Sequence, residues 1–192
     1  MASGKTAAMG SPHIPRSVMV IGVGNDFRRD DGVGRAVVAR LRDSARRTPL
    51  PVGAVLLTGD GDAARLMSMW EDAYAAIVVD AARTDASAQP GLIRRFELGG
   101  AVSGLSTGAA SSHGLGLAVA LELSHALGVL PEMLIVYTIE SAEFGLGTGL
   151  SKRVDAAVVP AARRVERAVR LLAGEARPHT LKGPAPLFHP WS

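Results

Sequence analysis

IGVGNDFRRDDGVG, Ile21–Gly34, is the stretch whose reading decides the fold. A near-continuous apolar run, Ser17–Val23, leads into it and ends on glycine, the pattern of a strand covered on both faces. GRAVVARLRDSA, Gly34–Ala45, leads out of it with Val37, Val38 and Leu41 recurring at helical spacing. A strand, a glycine turn and a helix in that order suggest a dinucleotide loop, but the pattern fails. Counted from Gly22, the third glycine of G-x-G-x-x-G falls on Phe27, and counted from Gly32 it falls on Val37. No Gly-Lys-Ser/Thr follows either. The charges argue more strongly. Free amides and the positive end of a helix favour an anion, yet Asp30 and Asp31 occupy that end. They would repel a phosphate by several kcal/mol, an order-of-magnitude figure for short range in a partly buried site. Paired carboxylates there suit a cation.

The same alternation continues down the chain. Val52–Thr58 and Tyr74–Val79 read as further strands, the latter running straight into Asp80. Between them Asp60 or Asp62 caps a helix reaching Trp70. Gly91–Leu98 is a more polar strand, suited to an edge. Ser111 or Ser112 caps a helix from His113 to about Leu127, which Gly128 and Pro131 stop. Met133–Ile139 is another buried strand, and Ser151 caps a last amphipathic helix to about Ala173. Strands alternating with helices predict a three-layer α/β/α sandwich around a mostly parallel twisted sheet of about five strands, with room for one antiparallel edge strand. We expect a flexible extension over 1–16, one α/β domain over 17–174, and a Pro-rich tail over 175–192.

Composition narrows the classes. Of 192 residues, 47% are hydrophobic and 20% charged, which fits a folded globular chain rather than a disordered one. The net charge is only +3, and the arginines are scattered with no interleaved aromatics, so no nucleic-acid partner is expected. Without cysteine the chain has no disulfide, thiolate metal site or cysteine nucleophile. That suits a reducing, cytoplasmic setting, which is the expected location. No apolar run approaches the roughly 18 residues of a membrane span, and the first sixteen residues lack a secretory apolar core.

In a parallel sheet the loops after the strands gather at the carboxyl edge, and ligands bind where the strand order reverses. With the common order 2-1-3, the turn bearing Asp31 and the strand end bearing Asp80 lie side by side. Of the five histidines, His113 is best placed to join them, because it opens a helix on the way to the last strand. Two carboxylates and an imidazole form a set for a divalent metal. Structural readings of the same residues stand beside this one. Asp31 can complement the helix dipole, Asp80 can hold a loop amide, and His113 can donate to a carbonyl. A second candidate is Gly104–Gly108, which matches the nucleophile elbow G-x-S-x-G around Ser106 but lacks a strand leading into the serine. Glu122 and His125 share a helix face with no second such pair in the chain, and read as a surface or interface pair.

Four pieces, GVGNDFRRDDGVG (Gly22–Gly34), IVVDAA (Ile77–Ala82), SSHGLGLAVAL (Ser111–Leu121) and IESAEFGLGTGLS (Ile139–Ser151), occur in an order that carries a family resemblance. The chain resembles the endopeptidases that mature nickel-iron hydrogenases by trimming the carboxyl terminus of the large-subunit precursor. The resemblance runs from about Val18 to Val169. It implies a peptidase whose partner is that precursor, and nickel borne by the substrate and bound at Asp31, Asp80 and His113. It also implies catalytic parts for Asp31 and Asp80, help in proton transfer from Asp30 or Asp31, and a substrate-cleft position for Gly24 and Asn25. Asn25 is equally readable as a turn residue bonding its own backbone. Many family members have glutamate where this chain has Asp31, one methylene shorter. A nickel-dependent chaperone using the same three ligands without cutting is the alternative from another class.

Overall fold

The computed structural model describes residues 17–83, 89–99 and 112–174. The expectations for 1–16, for the Ser106 loop and for 175–192 lie outside those residues, as does the side chain of His113.

Strand β1 (Val18–Val23) runs into a short 3-10 turn, Arg29–Gly32, and then helix α1 (Val33–Ala45). Next come β2 (Ala54–Gly59), α2 (Ala63–Trp70), β3 (Ala75–Arg83), β4 (Ile93–Gly99), α3 (Ser112–Leu127), β5 (Met133–Ser141) and α4 (Lys152–Leu172). The five-stranded sheet has the order β2-β1-β3-β5-β4. Its first four strands are parallel, and β4 pairs antiparallel with β5 at the edge. The expected three-layer sandwich and antiparallel edge strand are therefore both present.

Hydrophobic pattern explains the layers. β3 lies at the centre and is buried along both faces, which is why its sequence is almost wholly apolar. Ala75, Ile77, Val79 and Ala81 pack towards α1 and α4, whereas Ala76 and Val78 pack towards α2 and α3. Asp80 follows that alternation and belongs to the α2–α3 side. The polar strand β4 sits at the edge because Arg94, Arg95 and Glu97 tolerate water there. It is pinned by Arg94, whose Nε donates to buried Glu140 at 2.7 Å, while the Gln89 amide donates to the other oxygen at 2.8 Å.

α4 runs through Pro160, a residue that ordinarily breaks a helix interior. Pro160 is exposed, so the carbonyl left without its amide can be met by water, and the long apolar stripe from Val154 to Val169 outweighs the loss. α1 begins in the crook between β1 and β3. A Cβ on Gly34 would overlap the carbonyls of both Val23 and Val79, so only glycine permits this approach. The close-packing glycine that a nucleotide loop places earlier is thus present, displaced by the short turn that carries the two acids.

Candidate active site at the carboxyl edge

The strand order reverses between β1 and β3. From β1 the chain crosses to β2 on one side, and from β2 it returns to β3 on the other. The crevice at that reversal is where an open α/β sheet binds its ligand. Asp31 and Asp80 both stand there. β1 pairs with β3 up to Gly22–Val79, so Asp80 is the first residue of β3 beyond that ladder, next to the turn leaving β1. On its other side Asp80 still pairs with Thr138 of β5, and β3 continues to Arg83. The sequence placed the strand's end at Asp80, but β5 extends alongside to Ser141 and keeps the strand going. Asp80 therefore lies within the strand, at the point where pairing with β1 has ended and pairing with β5 continues.

The two adjacent acids of the turn diverge. Asp31, 1% exposed, turns back on its own loop and accepts the Asn25 amide on Oδ2 at 3.0 Å. Asp30, wholly buried, points away towards the loop between β5 and α4. It accepts the Ser151 amide at 2.7 Å, the Ser151 hydroxyl at 3.0 Å and the Glu143 amide at 3.1 Å. Ser151 does precede α4 at the capping position, but its hydroxyl serves Asp30 instead of a helix amide. Nothing in the local sequence signals this pairing, because its partners are separated by more than a hundred residues. Asp80, 3% exposed, accepts the Ala81 amide on Oδ1 at 2.8 Å.

Both loops at the crevice are held firmly. Arg28 and Gly147 form a parallel bridge, with the Arg29 amide donating to the Gly147 carbonyl at 3.0 Å and the Gly147 amide to the Phe27 carbonyl at 2.9 Å. Asn25 contributes twice, since its side-chain oxygen also accepts the Phe27 amide at 2.9 Å. It is therefore a turn residue bonding its own backbone, and through its amide a support for Asp31. Gly24 has φ +136, and a Cβ there would collide with the Asp31 carbonyl. Gly24→Ala is expected to displace the Asp31 turn and destabilise the fold by about 2–4 kcal/mol, from combined strain and overlap. Chemical denaturation measures it, and an unchanged midpoint would refute it.

The backbone of α3 approaches from the other side. Gly116 lies so close to the Gly61 carbonyl, after β2, that a side chain there would overlap it. This fixes the first turn of α3, with His113 three residues ahead of Gly116, beside the loops of the carboxyl edge. Among the described residues no group of three or more His, Asp or Glu side chains gathers as a metal site. Two carboxylates are brought to the crevice, with the backbone of the third expected residue on the adjoining helix end.

A family model for hydrogenase maturation proteases (HycI) matches residues 41–168. The chain belongs to the hydrogenase maturation protease family. It is accordingly a peptidase. The match includes Asp80 and His113 and begins inside α1, beyond the acidic turn. The peptidase is similar to the hydrogenase maturating endopeptidase HybD from E. coli, with 27% identity over 81% of this chain and 93% of that one, at a TM-score of 0.67. The [NiFe] hydrogenase maturation protease HybD from Thermococcus kodakarensis shares the fold, with 23% identity, 80% and 99% coverage and a TM-score of 0.65. No curated protein matches the chain. No helix among the described residues is long and apolar enough to cross a membrane.

Proposed function

We propose that this peptidase removes a carboxyl-terminal peptide from a nickel-bearing large-subunit precursor of a [NiFe]-hydrogenase, and that Asp31, Asp80 and His113 meet the nickel ion. The observation that carries the reading is the convergence of two buried carboxylates, Asp31 and Asp80, on the strand-order reversal, with the start of α3 alongside. Two buried carboxylates on neighbouring elements of one crevice suit a partner cation.

The ion arrives as part of the substrate, on the precursor's own thiolates. Its docking against the three side chains places the adjoining peptide bond in the crevice, and water attack on that bond follows with a carboxylate accepting the proton. Binding energy at the ion then serves as a checkpoint, because a precursor without nickel lacks the central contact.

The test is to incubate the protein with nickel-loaded and nickel-free precursor and weigh the products. Loss of a terminal peptide from the loaded form alone is expected. Equal cutting of both forms would remove the nickel checkpoint, and an unchanged mass for both would remove the assigned reaction.

A further inference from the structure

Phe27, on the turn that leads to Asp31, is 71% exposed, and Leu146, on the loop after β5, is 88% exposed, in a chain with only 4% aromatic residues. They are not scattered surface residues. The parallel bridge joins Arg28 to Gly147, so Phe27 and Leu146 occupy equivalent positions one step earlier on the two joined loops. The Gly147 amide donates to the Phe27 carbonyl at 2.9 Å, so Phe27 and Leu146 lie side by side where the loops join, both open to water, while the Arg28 guanidinium turns to the Phe144 carbonyl at 3.4 Å. Phe27 is held at its amide by Asn25 and at its carbonyl by Gly147. Its backbone is thus fixed before any partner arrives, which lowers the entropy cost of binding. Approach to Leu146 is open, for a Cβ on Gly145 or Gly149 would meet nothing within 4 Å.

We propose that Phe27 and Leu146 form an apolar subsite that receives a large apolar side chain from the substrate's polypeptide next to the bond that is cut. The occupant follows from continuity. Asn25 bonds both the Asp31 carboxylate, through its amide, and the Phe27 amide, through its side chain. A peptide placed in the crevice at Asp31 therefore meets Phe27 on the same loop and Leu146 on the loop bridged to it. An exposed aromatic side chain on a hydrogen-bonded backbone, with an exposed aliphatic one beside it, is the kind of anchor that carries binding energy. The inference rests on the proposed reaction at this crevice, and adds a contact to the polypeptide that is independent of the ion.

The experiment compares wild type, Leu146→Ser and the double variant Phe27→Ser/Leu146→Ser on nickel-loaded and nickel-free precursor, with melting curves for each. Both residues are exposed, so melting is expected to change little. For the loaded precursor, KM is expected to rise on the order of tenfold or more in the double variant, with kcat nearly unchanged. Phe27→Leu should retain most of the wild-type KM. Replacing the precursor's apolar residues beside the cut with aspartate should penalise wild type but add little to the double variant's loss. An unchanged KM in the double variant overturns the subsite. So does a wild-type dimer that the double variant dissolves, since the pair then faces a second copy of the chain. If wild type cuts loaded and nickel-free precursor alike while the KM effect persists, the nickel checkpoint falls and the subsite stands. If wild type cuts neither, both fall.

Discussion

Asp80→Asn is expected to reduce cutting of nickel-loaded precursor by at least ~10²-fold while leaving the fold standing, as removal of a metal-meeting group does. The substitution keeps the size of the side chain and an oxygen that can accept the Ala81 amide, now made at 2.8 Å. What it removes is a negative charge at the reversal of strand order. If the carboxylate only held that amide, activity would survive, because a neutral oxygen serves the same bond. Asp31→Asn isolates charge in the same way, since an amide oxygen can still take the Asn25 N–H. His113→Ala is expected to lose cutting to a similar degree, and Ser106→Ala to keep it. A time course by mass spectrometry reads the cutting, and a thermal melt separates activity from folding. Wild-type activity in both Asp80→Asn and His113→Ala would sink the metal reading, and loss in Ser106→Ala would revive the serine nucleophile.

Most of the architecture was legible because the periodicities are strong. Runs such as IVV before Asp80 and LIVY in β5 have no other place than a sheet covered on both sides, and the polar GLIRRFEL segment suited only an edge. The reversal of strand order could be anticipated because few orders of such a sheet are common, and that put Asp31 and Asp80 together. Two features escaped for a shared reason. Asp30 and Asp31 are identical in type and adjacent in sequence, and only the tight turn after β1 sends one to Asn25 and the other to Ser151. Phe27 and Leu146 look like ordinary apolar loop residues until the bridge between Arg28 and Gly147 aligns them. The Asp30–Ser151 contact and the Arg28–Gly147 bridge both span more than a hundred residues, which local pattern does not encode. The end of β3 was placed early for a related reason. A charged residue normally ends a buried run, but pairing with β5 carries the strand past Asp80 to Arg83.

Asp30→Ala is expected to destabilise the fold by about 2–4 kcal/mol, because three donors then lose a buried, charged acceptor. Its carboxylate takes the Ser151 amide, the Ser151 hydroxyl and the Glu143 amide. Ser151 and Glu143 are partly open to water, which keeps the figure below that of a fully enclosed network. The loss acts at one joint, where the loop before α4 is fastened to the turn bearing Asp31. Asp30→Asn distinguishes the two parts this residue can play. An amide keeps one acceptor oxygen, but its nitrogen opposes the donors that the second oxygen now receives. If Asp30 positions the loops, Asn lowers the unfolding midpoint, and cutting falls through a raised KM as the Phe27–Leu146 pair loses its alignment. If Asp30 also moves a proton in the reaction, Asn lowers kcat as well as the midpoint. With no exposed surface and both oxygens already accepting bonds from the α4 side, the geometry favours positioning. Denaturant titration and steady-state kinetics on the same preparation decide between them.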